Sequence, residues 1–172
     1  MRVKKILAST IAKLDSNVHH GGGTDDTAAL QKVLDEAKDG TAIHLIMDGA
    51  ALVSGLFVHS NTTIECLNST CGFFMEAGSD NAVIRNAEFS KTEYTAVNVT
   101  LKGGTYNHNG ANQAMCFPEE DQLPKGDGCS EMLVPFKFFG VQNFKMIDVS
   151  IVDQRRYALL MGNWEDVYME NV

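Results

Sequence analysis

Gly21-Gly22-Gly23-Thr24-Asp25-Asp26-Thr27-Ala28-Ala29-Leu30-Gln31-Lys32-Val33-Leu34-Asp35-Glu36-Ala37 is the stretch whose reading decides the fold. Leu30, Val33, Leu34 and Ala37 fall at i, i+3, i+4 and i+7, which places one apolar face on a helix over about 25–38. Asp25 or Asp26 caps it, because a carboxylate at a helix start accepts unpaired backbone N–H groups and faces the positive end of the dipole. Gly40 ends it. From Thr41 to Val172 no second helical pattern follows, only short β-type segments broken by Asn, Asp, Gly and Ser.

Those segments repeat. Ile84-Arg85-Asn86-Ala87-Glu88-Phe89, Met146-Ile147-Asp148-Val149-Ser150-Ile151 and Met169-Glu170-Asn171-Val172 overlay as apolar, variable, Asn or Asp, small apolar. Asn81, Asn143 and Asp166 each stand three residues ahead, and Asn61 before Ile64 marks a fainter copy. The spacing matches the roughly 20–50-residue periods of solenoids, in which each coil buries its apolar side chains by stacking on the next. Asn suits the corners of such a stack, since it tolerates left-handed backbone and its amide can bond to neighbouring coils. A sandwich or barrel has similar turn spacing, but the leading helix fits better as the cover of a solenoid's first coil.

Composition bounds the partners. The 172 residues are one domain's worth, with 44% apolar content. A net charge of −8, from 14 basic and 22 acidic residues, argues against nucleic acid or an anionic membrane as partner. No apolar run approaches the roughly 20 residues of a membrane span. Met1 to Ala12 imitates a secretion signal, but its apolar part is short and Lys13 closes it, so an opening β-strand is expected instead. Cys66, Cys71, Cys116 and Cys129 lack zinc-site spacing, His19-His20 has no third ligand nearby, and no metal or cofactor is expected.

With these features in order, the chain resembles the polygalacturonase-like glycoside hydrolases of the pectin-lyase-like group. The resemblance rests on residues 23–31 as the entry to a capping helix and on Asp48-Gly49, Val53-Ser54-Gly55-Leu56-Phe57-Val58 and Ser60-Asn61-Thr62-Thr63-Ile64. It continues through Val99-Thr100-Leu101-Lys102-Gly103-Gly104-Thr105-Tyr106-Asn107-His108-Asn109-Gly110 and the coils from Val141 to Val172. It implies an all-β, right-handed parallel β-helix with one N-terminal capping α-helix. Coils over about 41–172 and an inserted loop over about 106–131 would form a single domain that stops within a repeat, before its last coils. It also implies a secreted or periplasmic enzyme that hydrolyses polysaccharide with inversion, using paired carboxylic acids. The family's Asn-Thr-Asp, Asp-Asp and Gly-His-Gly motifs do not occur in matching places, so no catalytic residue is assigned in this segment.

The binding candidates are Asn107, His108 and Asn109, whose amides and imidazole suit sugar hydroxyls; Arg155 and Arg156, whose guanidinium groups suit a uronate carboxylate or balance Asp148 and Asp153; and Trp164, either a sugar platform or a packing residue. Consecutive Glu119, Glu120 and Asp121 read as a solvated run. The expected partner is a polysaccharide or oligosaccharide, with self-association through the open last coil as a further possibility. The alternatives are a non-catalytic carbohydrate-binding or trimeric fibre module, and a polysaccharide lyase.

Overall fold

The helix forms where its apolar spacing puts it, and ends sooner than expected. In the structure, a computed structural model that describes residues 2–113, 134–154 and 157–172, helix α1 spans Thr27–Leu34 and tightens into a 3-10 turn over Asp35–Asp39. Gly40, at φ 80°, closes that turn in the left-handed region that glycine enters without steric cost. Asp26 makes no cap bond; its carboxylate accepts the N–H groups of Lys13 (2.8 Å) and Leu14 (2.9 Å). Asp25 instead accepts the Thr27 N–H at 2.8 Å.

The strands are β1 (Val3–Leu7), β2 (Ala42–Met47), β3 (Ala50–Val53), β4 (Leu56–Val58), β5 (Thr62–Cys66), β6 (Gly72–Met75), β7 (Ile84–Asn86), β8 (Ala96–Lys102), β9 (Thr105–Asn107), β10 (Phe136–Ile147), β11 (Ser150–Val152) and β12 (Leu159–Glu170). Among the described residues they form an eight-stranded sheet, ordered β1-β2-β5-β8-β10-β7-β4 with β12 also on β10, and a four-stranded sheet, β11-β9-β6-β3. Every pairing within both sheets is parallel.

This architecture corrects the expectation of an all-β right-handed parallel β-helix. The long strand β10 pairs through Phe136 and Lys137 with β7 and through Val141 to Ile147 with β8, so one continuous sheet curls into a half-barrel where uniform stacked coils would give separate faces. With the second parallel sheet and α1, the result is a parallel-strand α/β-type fold.

The core lies between the sheets and under α1. Leu45, Ile64, Leu101 and Met146 stand side by side on β2, β5, β8 and β10 with no exposure, each stabilising the fold by roughly 1.5–3 kcal/mol. Leu30 and Leu34 of α1 join the same core. Cys66 and Cys71 are buried free thiols, and burial pushes the Cys66 thiol up to about 12, so it stays protonated and unreactive at neutral pH. Cys116 and Cys129 lie outside the described residues.

Asn corners behave as their chemistry dictates. Asn61, Asn98 and Asn143 all take φ between 53° and 60°, and their side chains form a ladder, Asn98 Nδ2 to Asn61 Oδ1 (2.8 Å) and Asn143 Nδ2 to Asn98 Oδ1 (2.7 Å). Asp166 continues the left-handed corners at φ 53°. Register pairs Ile64, Leu101, Met146 and Met169, so the copies at Ile64, Met146 and Met169 were aligned correctly. Ile84 belongs to another row, beside Leu56 and Phe136.

Candidate functional site

Three of the six sequence candidates come together at the end of β9, two of them in the interior. Asn107 and His108 have no exposure, and Asn109 turns the corner after β9 at φ 51°. Asn107 donates through Nδ2 to Asp153 Oδ2 (2.8 Å) and accepts the Asn109 N–H (2.7 Å), while Asn109 donates to the Met75 carbonyl (3.0 Å). The amides of Asn107 and Asn109 therefore brace the second sheet. Arg155 and Arg156 lie outside the described residues, as do Glu119, Glu120 and Asp121. Trp164, on β12, is 56% exposed and stands apart from this cluster.

His108 is held in one form. Its Nε2 faces the Asn81 carbonyl at 3.0 Å, so that nitrogen carries the hydrogen, and buried Nδ1 has no partner. Burial pushes its pKa below the ordinary value of 6.5, against the smaller upward pull of the Asn81 carbonyl. The folded chain therefore resists a proton that the unfolded chain accepts near 6.5. The stability this confers is complete above about pH 6.5 and is lost as pH falls through the folded-state value, by at most about 1.4 kcal/mol per pH unit. Urea midpoints of the native chain and of His108→Gln, followed from pH 7.5 to 5, should draw together as pH falls. A constant gap would show that His108 does not titrate differently on folding.

A different group of side chains gathers on the outer face of the large sheet. Phe57, Arg85 and Lys137 occupy one row across β4, β7 and β10. Phe139 lies two residues beyond Lys137, and its ring sits against Gly162 of β12, where a Cβ would come within 2.4 Å of it. Phe89 reaches in from the loop 87–95. The Arg85 guanidinium lies 4.0 Å from the Phe57 ring centre and 5.2 Å from that of Phe89. The Lys137 ammonium lies 4.7 Å from Phe89 and 5.5 Å from Phe139. Phe89, Ser90, Lys91, Lys137 and Phe139 line a cleft of about 280 Å³.

Beside this cleft the charge of Arg85 is poorly compensated. Arg85 is half-buried with its Nε unpartnered. Among the described residues the guanidinium's one hydrogen bond, from Nη1 to the Asn86 carbonyl, is long at 3.5 Å, and no carboxylate lies within ion-pair reach of it. Burial pushes the Arg85 pKa down, which means its charged form loses hydration; arginine nevertheless keeps its proton. Desolvating a cation costs several kcal/mol, whereas each cation–π contact returns only about 0.5–2. The aromatic rings thus shelter the charge without neutralising it. An anionic group that can accept from the outer nitrogens of the guanidinium is the complementary ligand.

The loop carrying Phe89 is anchored by asparagines. Asn86, with no exposure, donates from Nδ2 to the carbonyls of Glu88 (2.5 Å) and Phe139 (2.7 Å) and accepts the Phe139 N–H (3.0 Å). Asn163 donates to the carbonyls of Ser90 (3.2 Å) and Glu93 (2.9 Å). Gly140, at φ 81°, lets β10 pass beneath, because a Cβ there would lie 2.5 Å from the Glu93 carbonyl oxygen.

Sequence reading missed this site, since its five aromatic and basic residues are spread from Phe57 to Phe139 and no motif links them. The available signal was a basic residue in the middle of a strand-like segment, between Ile84 and Asn86 and again between Phe136 and Phe138.

No family model matches the chain, and no curated protein matches it. Among solved structures it is similar to a protein of Parabacteroides merdae ATCC 43184 provisionally named a glycosyl hydrolase, with a TM-score of 0.68 and 19% identity over 98% of this chain and 75% of that one. At that identity the likeness is one of fold.

Proposed function

We propose that this chain is the glycan-gripping portion of a polysaccharide-degrading glycoside hydrolase, polygalacturonase-like in taking an acidic sugar and in inverting hydrolysis. The observation that carries the reading is the Arg85 guanidinium, desolvated between Phe57 and Phe89 with Nε unpartnered beside Lys137. A uronic acid offers what that arrangement lacks: a carboxylate for the guanidinium and an apolar C–H face for the rings. Support also comes from the fold shared with a protein provisionally named a glycosyl hydrolase. The residues of the cleft bind and orient. Hydrolysis itself needs a carboxylic acid at the leaving oxygen and a carboxylate that activates water, and none of the described residues that line the cleft is acidic.

That last feature equally favours a second reading, a non-catalytic carbohydrate-binding module. Affinity electrophoresis through gels containing polygalacturonate or neutral galactan tests what both readings share. Retardation by the acidic polymer alone is expected, and equal mobility in both gels contradicts them. Release of reducing ends from polygalacturonate then separates enzyme from binding module.

A further inference from the structure

We propose that Phe89 sets the specificity of this cleft: its ring stacks on the face of a pyranose whose carboxylate Arg85 holds, so cyclic sugar acids are accepted and small inorganic anions are not. The inference rests on the acidic-glycan reading above and adds to it the residue that selects the ring.

Phe89 touches both basic residues of the site and one of its other two rings. Its ring faces the Arg85 guanidinium and the Lys137 ammonium and meets Phe139 edge-on at 5.9 Å. At 37% exposure, part of it remains open to an incoming molecule. The face of an aromatic ring is electron-rich and repels a bare anion, whereas the C–H face of a sugar is attracted to it. A sulfate ion approaching Arg85 or Lys137 must therefore pass an unfavourable surface. A uronic acid instead lays its ring against Phe89 and keeps its charge at the periphery.

The position of that ring is fixed before a ligand arrives. Phe89 has no strand of its own, but the carbonyl before it is bound by Asn86 and the carbonyls after it by Asn163. The Ser90 N–H donates to the Phe139 carbonyl at 3.2 Å, and the Thr95 N–H to the Gly140 carbonyl at 2.8 Å. Ordering an aromatic platform in advance removes that entropic cost from binding. The cleft of about 280 Å³ is at the small end of ligand sites, suited to one pyranose unit.

Calorimetric titration with trigalacturonic acid and with sodium sulfate tests the proposal on the native chain, Phe89→Ala, Phe89→Leu and Phe89→Trp. Phe89→Leu keeps apolar bulk and removes the π face, so it separates stacking from folding; thermal midpoints verify that each variant is folded. Phe89→Ala and Phe89→Leu should bind the uronide about tenfold more weakly or worse and sulfate no more weakly than the native chain. Phe89→Trp should hold the uronide within about threefold. Uronide affinity unchanged in Phe89→Leu, or an equal loss for both probes, overturns the role of Phe89. If the native chain binds the uronide and Arg85→Met removes that binding while Phe89→Leu does not, only this inference falls. If the native chain takes up no uronide, the acidic-glycan reading falls with it.

Discussion

Replacing Asn86 by alanine is expected to lower the thermal midpoint by roughly 10 °C, the largest stability effect of any substitution near the cleft. The side chain is fully buried and satisfies the N–H and C=O of Phe139 together with the Glu88 carbonyl. Alanine leaves the Phe139 N–H without its partner and takes one of two donors from the Phe139 carbonyl, which keeps the Ser90 N–H, and from the Glu88 carbonyl, which keeps the Thr95 hydroxyl. The orphaned donor costs about 1–3 kcal/mol and each lost hydrogen bond about 0.5–1.5 kcal/mol, so a total near 3–4 kcal/mol is a moderate expectation. In a domain of this size, about 1 kcal/mol corresponds to about 2–4 °C. Differential scanning calorimetry measures the shift directly. A fall of less than about 2 °C would mean that the loop 87–95 holds its place without Asn86. Because the same amide positions Phe89, uronide binding should weaken along with stability.

Arg85→Met should have the largest effect on binding and little on folding. Methionine retains an unbranched stem between Phe57 and Phe89, where sulfur packs well against rings, and removes the charge. A hydrogen bond to a charged group contributes about 1.5–3 kcal/mol, so affinity for an acidic oligosaccharide should drop about ten- to hundredfold. The thermal midpoint should hold or rise, because a half-desolvated cation beside Lys137 is replaced by an apolar chain. Calorimetric titration with trigalacturonic acid reads the first effect and scanning calorimetry the second. Unchanged affinity would remove Arg85 from the site. A large loss of stability would instead make it a packing residue.

How much was legible in the sequence follows from how local each signal is. Helix α1 was readable because its apolar period lies within a dozen residues, and the Asn corners because left-handed backbone selects Asn at single positions. The pairing of β10 with two different neighbours was not, since register is a long-range property that short apolar strands do not encode one at a time. Ile84 shows the consequence: by letters it matched Met146, yet it stands beside Leu56 and Phe136. Asn107, His108 and Asn109 are polar residues after a strand, a pattern that fits a sugar-binding loop and a buried brace equally. Only their burial and their bonds to Asp153, Asn81 and Met75 distinguish the two. The cleft was hidden for the opposite reason, since each member looks ordinary in its own segment and acquires meaning from the row Phe57-Arg85-Lys137.

A crystal structure of the chain with trigalacturonic acid bound tests the central claim most directly. The account predicts a sugar carboxylate hydrogen-bonded to the Arg85 guanidinium, with the pyranose face against Phe89. An oligosaccharide seated elsewhere on the sheet, or one in the cleft with its carboxylate turned to solvent, would contradict it.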